Sequence, residues 1–259
     1  MGIFEKISFV FNVGYILIIN MRYIRTSNYD QFALYAFDSL AKINILYIKF
    51  IQILAIQNIF SEYVNEILLS YTDQVSYCDS EIDLSFLDLF PEQEKSEFHL
   101  INSGTMSLIY KHRLELEDNK YKEVVVKVLR KNIKEKLDSS IENFEFLLYL
   151  IQWIPYFRNA SLNTVFNENK NKLYDHIDFN KELAYLKEMG KNYKNIDYIY
   201  IPNYYEKYCN SKCITMDYLY GDTITEIDDE EDKEQFSNLL VKFAVKGFLF
   251  DRVFHGDLH

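Results

Sequence analysis

A chain of 259 residues can bury a sizeable core, in one large domain or two, and 49% hydrophobic with 26% charged residues excludes global disorder. A net charge of −11 excludes a general nucleic-acid binder, which carries a basic stripe. An acidic nucleotide is still a fitting ligand, because one lysine or a bound metal reverses the field inside a single cleft. Seven glycines and three prolines, beside abundant Ile, Asn, Lys, Tyr and Phe, reflect the codon bias of an A/T-rich genome. Each glycine kept in a motif therefore carries weight.

In chain order, Ile7 to Met21 is apolar and is followed by Arg22 and Arg25. Its 15 residues fall short of a bilayer span. Asn12 and Asn20 interrupt it, and no small-residue cleavage site follows. A packed or membrane-surface helix is expected. Residues 26–72 read as helix, with Asp38-Ser39 able to cap and Leu40, Ile43, Tyr47, Phe50 and Leu54 at helical spacing. Lys49 and Gln52, three apart, share a face. A further helical stretch runs from Glu62 to Tyr71.

The period then changes. Asn102 to Thr105 is a small-residue turn, and Ser107–Arg113 and Glu123–Leu129 are β-branched alternating runs around a polar connection, a hairpin signature. Residues 131–158 and 178–192 read as helix. Tyr204–Tyr208 and Cys213–Tyr218 read as a second strand pair, closed by the turn Asn210-Ser211-Lys212. That turn would let Cys209 and Cys213 face each other. With Cys78 as the third cysteine and no completing histidine or cysteine pair, reduced thiols are expected and a zinc set is not. The acidic run Asp228–Glu231 suits the start of a last helix, with Phe236, Leu239, Leu240, Phe243 and Phe250 as its buried face. The class is α+β, with the strands clustered centrally.

Three residues stand out chemically. Lys127 sits in the apolar run Val124–Val128, where an ammonium is costly to bury without an anion. Either the strand is an edge and Lys127 points to solvent, or Lys127 meets phosphates and a helical Glu. Glu182 is the candidate partner. Asp257, in His255-Gly256-Asp257-Leu258-His259, has the form of a catalytic-loop carboxylate near a phosphoryl acceptor.

Small-residue loop, strand Lys, helix Glu, hairpin, helix and His-x-Asp is the series that kinase-like phosphotransferases use. Over roughly residues 30–259 the chain resembles the UbiB/ADCK family, the aarF-domain atypical kinases. Lys49-Phe50-Ile51-Gln52 resembles the family's K-x-G-Q helix, and Ser103-Gly104-Thr105-Met106-Ser107 its alanine-rich loop. Val124–Arg130 is similar to V-A-V-K-V-x-R, Ile177–Glu182 to L-D-x-x-x-E, and Thr215–Gly221 to T-M-E-Y-x-x-G. The 55 residues between Lys127 and Glu182 match helices that the family inserts there.

The resemblance implies ATP with Mg2+. Lys127 would contact the α/β-phosphates and pair with Glu182. Ser103, Gly104 and Thr105 would close over the nucleotide, and Asp217, Tyr218 and Leu219 would border adenine through their backbone. Asp257 would be the catalytic carboxylate, and Lys49 and Gln52 would form a regulatory helix. It also implies nucleotide and lipid-linked roles of the ubiquinone-biosynthesis type, at a membrane or in the cytosol. The implied architecture is a kinase-like N-lobe (96–221) preceded by a helical extension (1–95), with the first C-lobe helix and the start of the catalytic loop at 222–259 and the rest of the C-lobe missing.

There are departures. The K-x-G-Q glycine is Ile51, the loop has Ser103-Gly104 for alanines, and Leu108 stands where the family usually has Gln. The catalytic-loop Asn and the metal-binding Asp have no counterpart, so these residues offer no metal site and no phosphoryl transfer is expected of them alone. An exposed apolar patch is expected around Phe243 and Phe250. Two other readings stand beside this one. One is a small-molecule phosphotransferase of the aminoglycoside or choline type; the other is a non-catalytic, pseudokinase-like remnant that acts by binding.

Overall fold

The computed structural model describes residues 3–56, 60–69, 77–95, 97–116, 120–155, 157–159, 161–221 and 227–251. A four-stranded sheet has the order β1 (His99–Ser103), β2 (Ser107–Leu116), β3 (Lys120–Leu129), β4 (Cys213–Asp217). β3 and β4 are antiparallel, with Lys127 opposite Ile214 and Val124 opposite Asp217. The expected β2–β3 hairpin is present and longer than the sequence runs suggest. Leu108, Tyr110, His112 and Leu114 are buried on β2, and Val124, Val126 and Val128 on β3. The period of two puts Lys127 on the face opposite those valines.

The chain divides into two compact units. The first comprises Met1–Asp83, Asn102–Leu108 and Leu129–Ile177. It holds α1 (Ile3–Arg25), α2 (Tyr29–Ile43), α3 (Leu46–Ile56), α4 (Glu62–Leu69), α5 (Ile133–Ile151) and α6 (Leu162–Asp175). Its centre is aromatic: the rings of Tyr47, Phe50, Phe144 and Phe166 lie with centroids 5.0–5.8 Å apart.

Several expectations are corrected here. The stretch 26–72 is broken at Asn44, whose Oδ1 accepts from Leu46 N at 3.0 Å and whose Nδ2 donates to Ser140 Oγ on α5 at 2.7 Å. Asp38 and Ser39 lie inside α2 and cap nothing. Asp38 pairs with Lys42 at 2.6 Å, and Ser39 donates to Tyr35 O. The α2 cap is Asn28, which accepts from Gln31 N at 3.3 Å. Helix α6 shows only Leu162, Phe166 and Leu173 to the core, too thin a stripe for its period to stand out.

α1 is longer than its apolar run, at 23 residues, and Ile7–Arg25 is long and apolar enough to cross a membrane by length and composition. Asn20 does not interrupt it, because its buried Nδ2 donates to Ile16 O at 2.9 Å. Phe9, Val13 and Ile16 are buried, whereas Phe11, Tyr15 and Ile18 are exposed.

The second unit comprises Leu84–Ile101, Ile109–Val128 and Asp178–His259, with α7 (Phe179–Asn192) and α8 (Glu230–Val245). Tyr204–Tyr208 is not a strand. Tyr204 makes one bridge to Met216, and Glu206–Tyr208 forms a 3-10 turn because Tyr208 N bonds back to Tyr205 O at 2.8 Å. Cys209 and Cys213 are free thiols directed at backbone carbonyls, of Tyr205 and Tyr208 respectively. Burial pushes Cys213 up to about 12, and such a thiol is inert.

Asp229 caps α8 by accepting from Glu231 N at 2.8 Å and Asp232 N at 3.2 Å. Its expected buried face is narrower than the sequence suggests. Phe243 packs on Tyr193, with ring centroids 5.2 Å apart, but Phe236 is 40% and Phe250 75% exposed. The helix passes into a π-turn at Lys246–Asp251, pinned by Lys246 to Asp251 at 2.7 Å, which turns Phe250 off the packed face. Val241, Phe248, Leu249 and Phe250 are exposed, whereas Phe243, expected to be exposed with Phe250, is buried.

Candidate nucleotide-binding site

Lys127 is not a solvent-facing edge residue, since β3 lies between β2 and β4. The apolar strand fixes its backbone, and its half-buried ammonium meets both carboxylate oxygens of Glu182, at 2.7 and 2.8 Å. Phe179, fully buried, lies beneath it with the ring centroid 5.2 Å from Nζ. Glu182 reaches this place from the first turn of α7, a helix started by Asp178, whose side chain accepts from Lys181 N. An ammonium has three hydrogens, and Glu182 takes two. The third, on a cation held in place by its carboxylate, is suited to a phosphate oxygen.

The chain around Asp217 is fixed more tightly than sequence reasoning implied. Its carboxylate is buried and saturated. Oδ1 accepts from Tyr205 OH at 2.7 Å and faces Lys122 Nζ at 2.6 Å. Oδ2 accepts from Asn203 Nδ2 at 2.7 Å, Tyr200 OH at 3.1 Å and Asn203 N at 3.2 Å. Burial alone would raise this carboxyl, but the bonds from Lys122, Tyr205 and Asn203 prevail and hold it at about 2. Lys122 is raised in return, chiefly by its bond to Asp217.

The backbone beside it is equally ordered. Tyr218 N donates to Glu123 O at 3.2 Å, and Asp217 N to Asn203 O at 2.9 Å. With Val124 opposite Asp217 and Glu123 bonded to Tyr218, the N–H and C=O of Asp217 point away from β3. Leu219 is about half exposed.

In the first unit, the Ser103–Thr105 loop is held by a residue to which sequence reasoning gave no role. Arg130, at the end of the Lys127 strand motif, donates from Nε and Nη2 to Gly104 O at 3.0 and 2.8 Å, and from Nη2 to Ser103 Oγ at 2.9 Å. Its Nη1 meets Glu81 at 2.5 Å, and Lys136 lies 3.0 Å from the other Glu81 oxygen. The signal available was a charge closing an apolar strand. Gly104 N bonds Ser107 O at 2.9 Å, which closes the turn, and Thr105 is buried. Lys49 and Gln52 lie on α3 and are half-buried, with Ile51 buried between them. A cleft of about 850 Å3 in this unit is bordered by Asn12, Asn44, Tyr47, Thr105, Arg130 and Lys136, among others.

Thus Lys127, Glu182, Asp217, Tyr218 and Leu219 belong to one unit, and Lys49, Gln52, Ser103, Gly104 and Thr105 to the other. Asp257 lies outside the described residues. Among the described residues no three of His, Cys, Asp and Glu group as a metal site.

The family profile of the ABC1 atypical kinase-like domain matches residues 91–259. A probable protein kinase UbiB from Cronobacter sakazakii is 26% identical over 236 residues, which is 85% of this chain and 42% of that protein. The chloroplastic protein Activity of BC1 Complex Kinase 8 from Arabidopsis thaliana is 26% identical over 210 residues, 76% of this chain and 26% of that protein. The chain thus spans less than half the length of these relatives. Among solved structures, the Mycobacterium tuberculosis protein Rv3197, determined with erythromycin, superposes with a TM-score of 0.52 at 18% identity, over 69% of this chain and 47% of that one. The likeness confirms the α+β fold of a kinase-like N-lobe with added helices. The chain belongs to the ABC1 atypical kinase-like family, the group of UbiB and ADCK proteins.

Proposed function

We propose that the chain binds ATP, with Lys127 on the phosphates and the Asp217–Leu219 backbone against adenine. The single observation that carries this reading is the two-pronged Lys127–Glu182 pair, which joins residues 55 apart in sequence at 2.7 and 2.8 Å. A surface ion pair contributes little to stability, so a half-buried lysine in an apolar strand is better accounted for by an anion it serves. The ordered Asp217–Leu219 backbone supports the second half, with Tyr218 N held on Glu123 O and Leu219 about half exposed. ATP and Mg2+ use is what membership of the family implies. The described residues assemble no cation site from three or more His, Cys, Asp or Glu side chains. By the same reading the 259 residues bind ATP without turning it over, because the family's metal-holding Asn and Asp have no counterpart among them.

The proposal extends to a membrane surface as partner. Helix α1 supports it: Ile7–Arg25 has mean hydropathy 1.5 with 22% buried, an apolar outer face, and Arg22 and Arg25 in its last turn. Titration with a fluorescent ATP analogue tests the nucleotide reading. Saturable binding displaced by ATP, and weakened about tenfold or more by Lys127→Met, is expected. Equal binding by the variant contradicts it.

A further inference from the structure

We propose that the Asp217 carboxylate and the Lys122 ammonium are positioning residues that fix the base-recognising backbone before any nucleotide arrives. This rests on the nucleotide reading above and extends it to groups that do not touch the ligand.

The segment Asp217–Tyr220 is held from two sides, by two lysines of the β2–β3 hairpin. On one side five donors converge on the Asp217 carboxylate, from Lys122, Tyr200, Asn203 and Tyr205. Asn203 closes a ring there, because it accepts from Asp217 N through its own carbonyl while donating to the Asp217 side chain through both nitrogens. On the other side Lys111 lies 2.9 Å from Glu123, 4.3 Å from the Tyr218 ring centroid and 3.2 Å from Tyr220 OH. The backbone carbonyl of Glu123 accepts from Tyr218 N.

Neither the side chain of Asp217 nor that of Lys122 is placed to meet a base. The carboxylate is fully engaged, and Lys122 is spent on it. What their lock does is hold the start of the Asp217–Leu219 segment between Asn203 and the β2–β3 hairpin. A backbone held in one orientation recognises a base without a reordering cost at binding. Removing the charge from either partner would leave the fold, the Tyr218–Glu123 ladder bond and the Lys127–Glu182 pair in place but loosen the segment that runs on from them.

The test separates base from phosphate. The full 259-residue chain, Asp217→Asn and Lys122→Met are titrated calorimetrically with ATP and, separately, with inorganic tripolyphosphate, which has no base. Lys122 is 42% exposed in its side chain, so its variant is the one safer for folding. Expected is a loss of about tenfold in ATP affinity for each variant, tripolyphosphate affinity unchanged, and a double variant no weaker than either single one. Unchanged ATP affinity in both variants overturns the proposal. So does a parallel loss for ATP and tripolyphosphate, which would mean a merely structural role. If the unmodified chain binds tripolyphosphate but not ATP, the adenine half of the reading fails. If it binds neither, the nucleotide reading itself fails.

Discussion

Arg130→Met tests what holds the Ser103–Thr105 loop. The native guanidinium is 1% exposed in its side chain and makes bonds to Gly104 O, Ser103 Oγ and Glu81 between 2.5 and 3.0 Å. Removing it takes the guanidinium from the Gly104 carbonyl and one cation from Glu81, which burial raises but which the Lys136 bond and the Arg130 and Lys136 charges together hold below its usual range. Breaking a buried ion pair costs about 3–5 kcal/mol. Glu81 keeps Lys136, so the lower end applies, about 3 kcal/mol. With a urea slope of about 3 kcal/mol/M for a chain of this size, the midpoint should fall by about 1 M. Arg130→Lys should recover only a minor part, since an ammonium lacks the planar fork that serves Gly104, Ser103 and Glu81 together. A double-mutant cycle with Glu81→Gln should show a coupling of about 1–3 kcal/mol. A loss under about 0.5 kcal/mol for Arg130→Met, or full recovery by lysine, would refute the argument that the loop hangs on this one side chain.

Two further expectations follow from the same kind of reasoning. Gly104 has no left-handed φ, and a Cβ there would meet Ser107 O at 3.4 Å, so Gly104→Ala fits the loop. It should stabilise the chain by about 0.4–1 kcal/mol through the unfolded state, read as a rise in melting temperature, and a fall would show the turn to be strained. Asp217 is held at about 2 against 3.8 for its ordinary value, so its lock contributes above pH 4 and is lost as pH falls from about 4 through 2. That is about 2 kcal/mol of acid-dependent stability, which Asp217→Asn should remove from the urea-midpoint profile below pH 4; an unaltered profile would contradict it.

Much of the candidate site was legible because short-range pattern carries it. Alternating valines put Lys127 on a strand, and the kinase series pointed to Glu182, although only the fold could close the 55-residue gap between them. What stayed hidden depends on pairings between distant segments. The Asp217 carboxylate draws donors from residues 122, 200, 203 and 205, and no local spacing announces that. Arg130 was read as the end of a motif, because its partners Glu81 and Gly104 lie far back in the chain. Asp38-Ser39 looked like a cap for want of knowing that Asn44 breaks the helix. Of the face read for α8, Phe243 is buried and Phe236 is not, and the π-turn after Val245 breaks the period before Phe250.

The most direct test of the central claim uses an acyl-phosphate analogue of ATP, which acylates the lysine amine nearest its phosphates. The 259-residue chain is labelled with and without excess ATP, and the modified peptides are identified by mass spectrometry. The account predicts acylation at Lys127, suppressed by ATP. Labelling that spares Lys127, or that ATP does not suppress there, would contradict it.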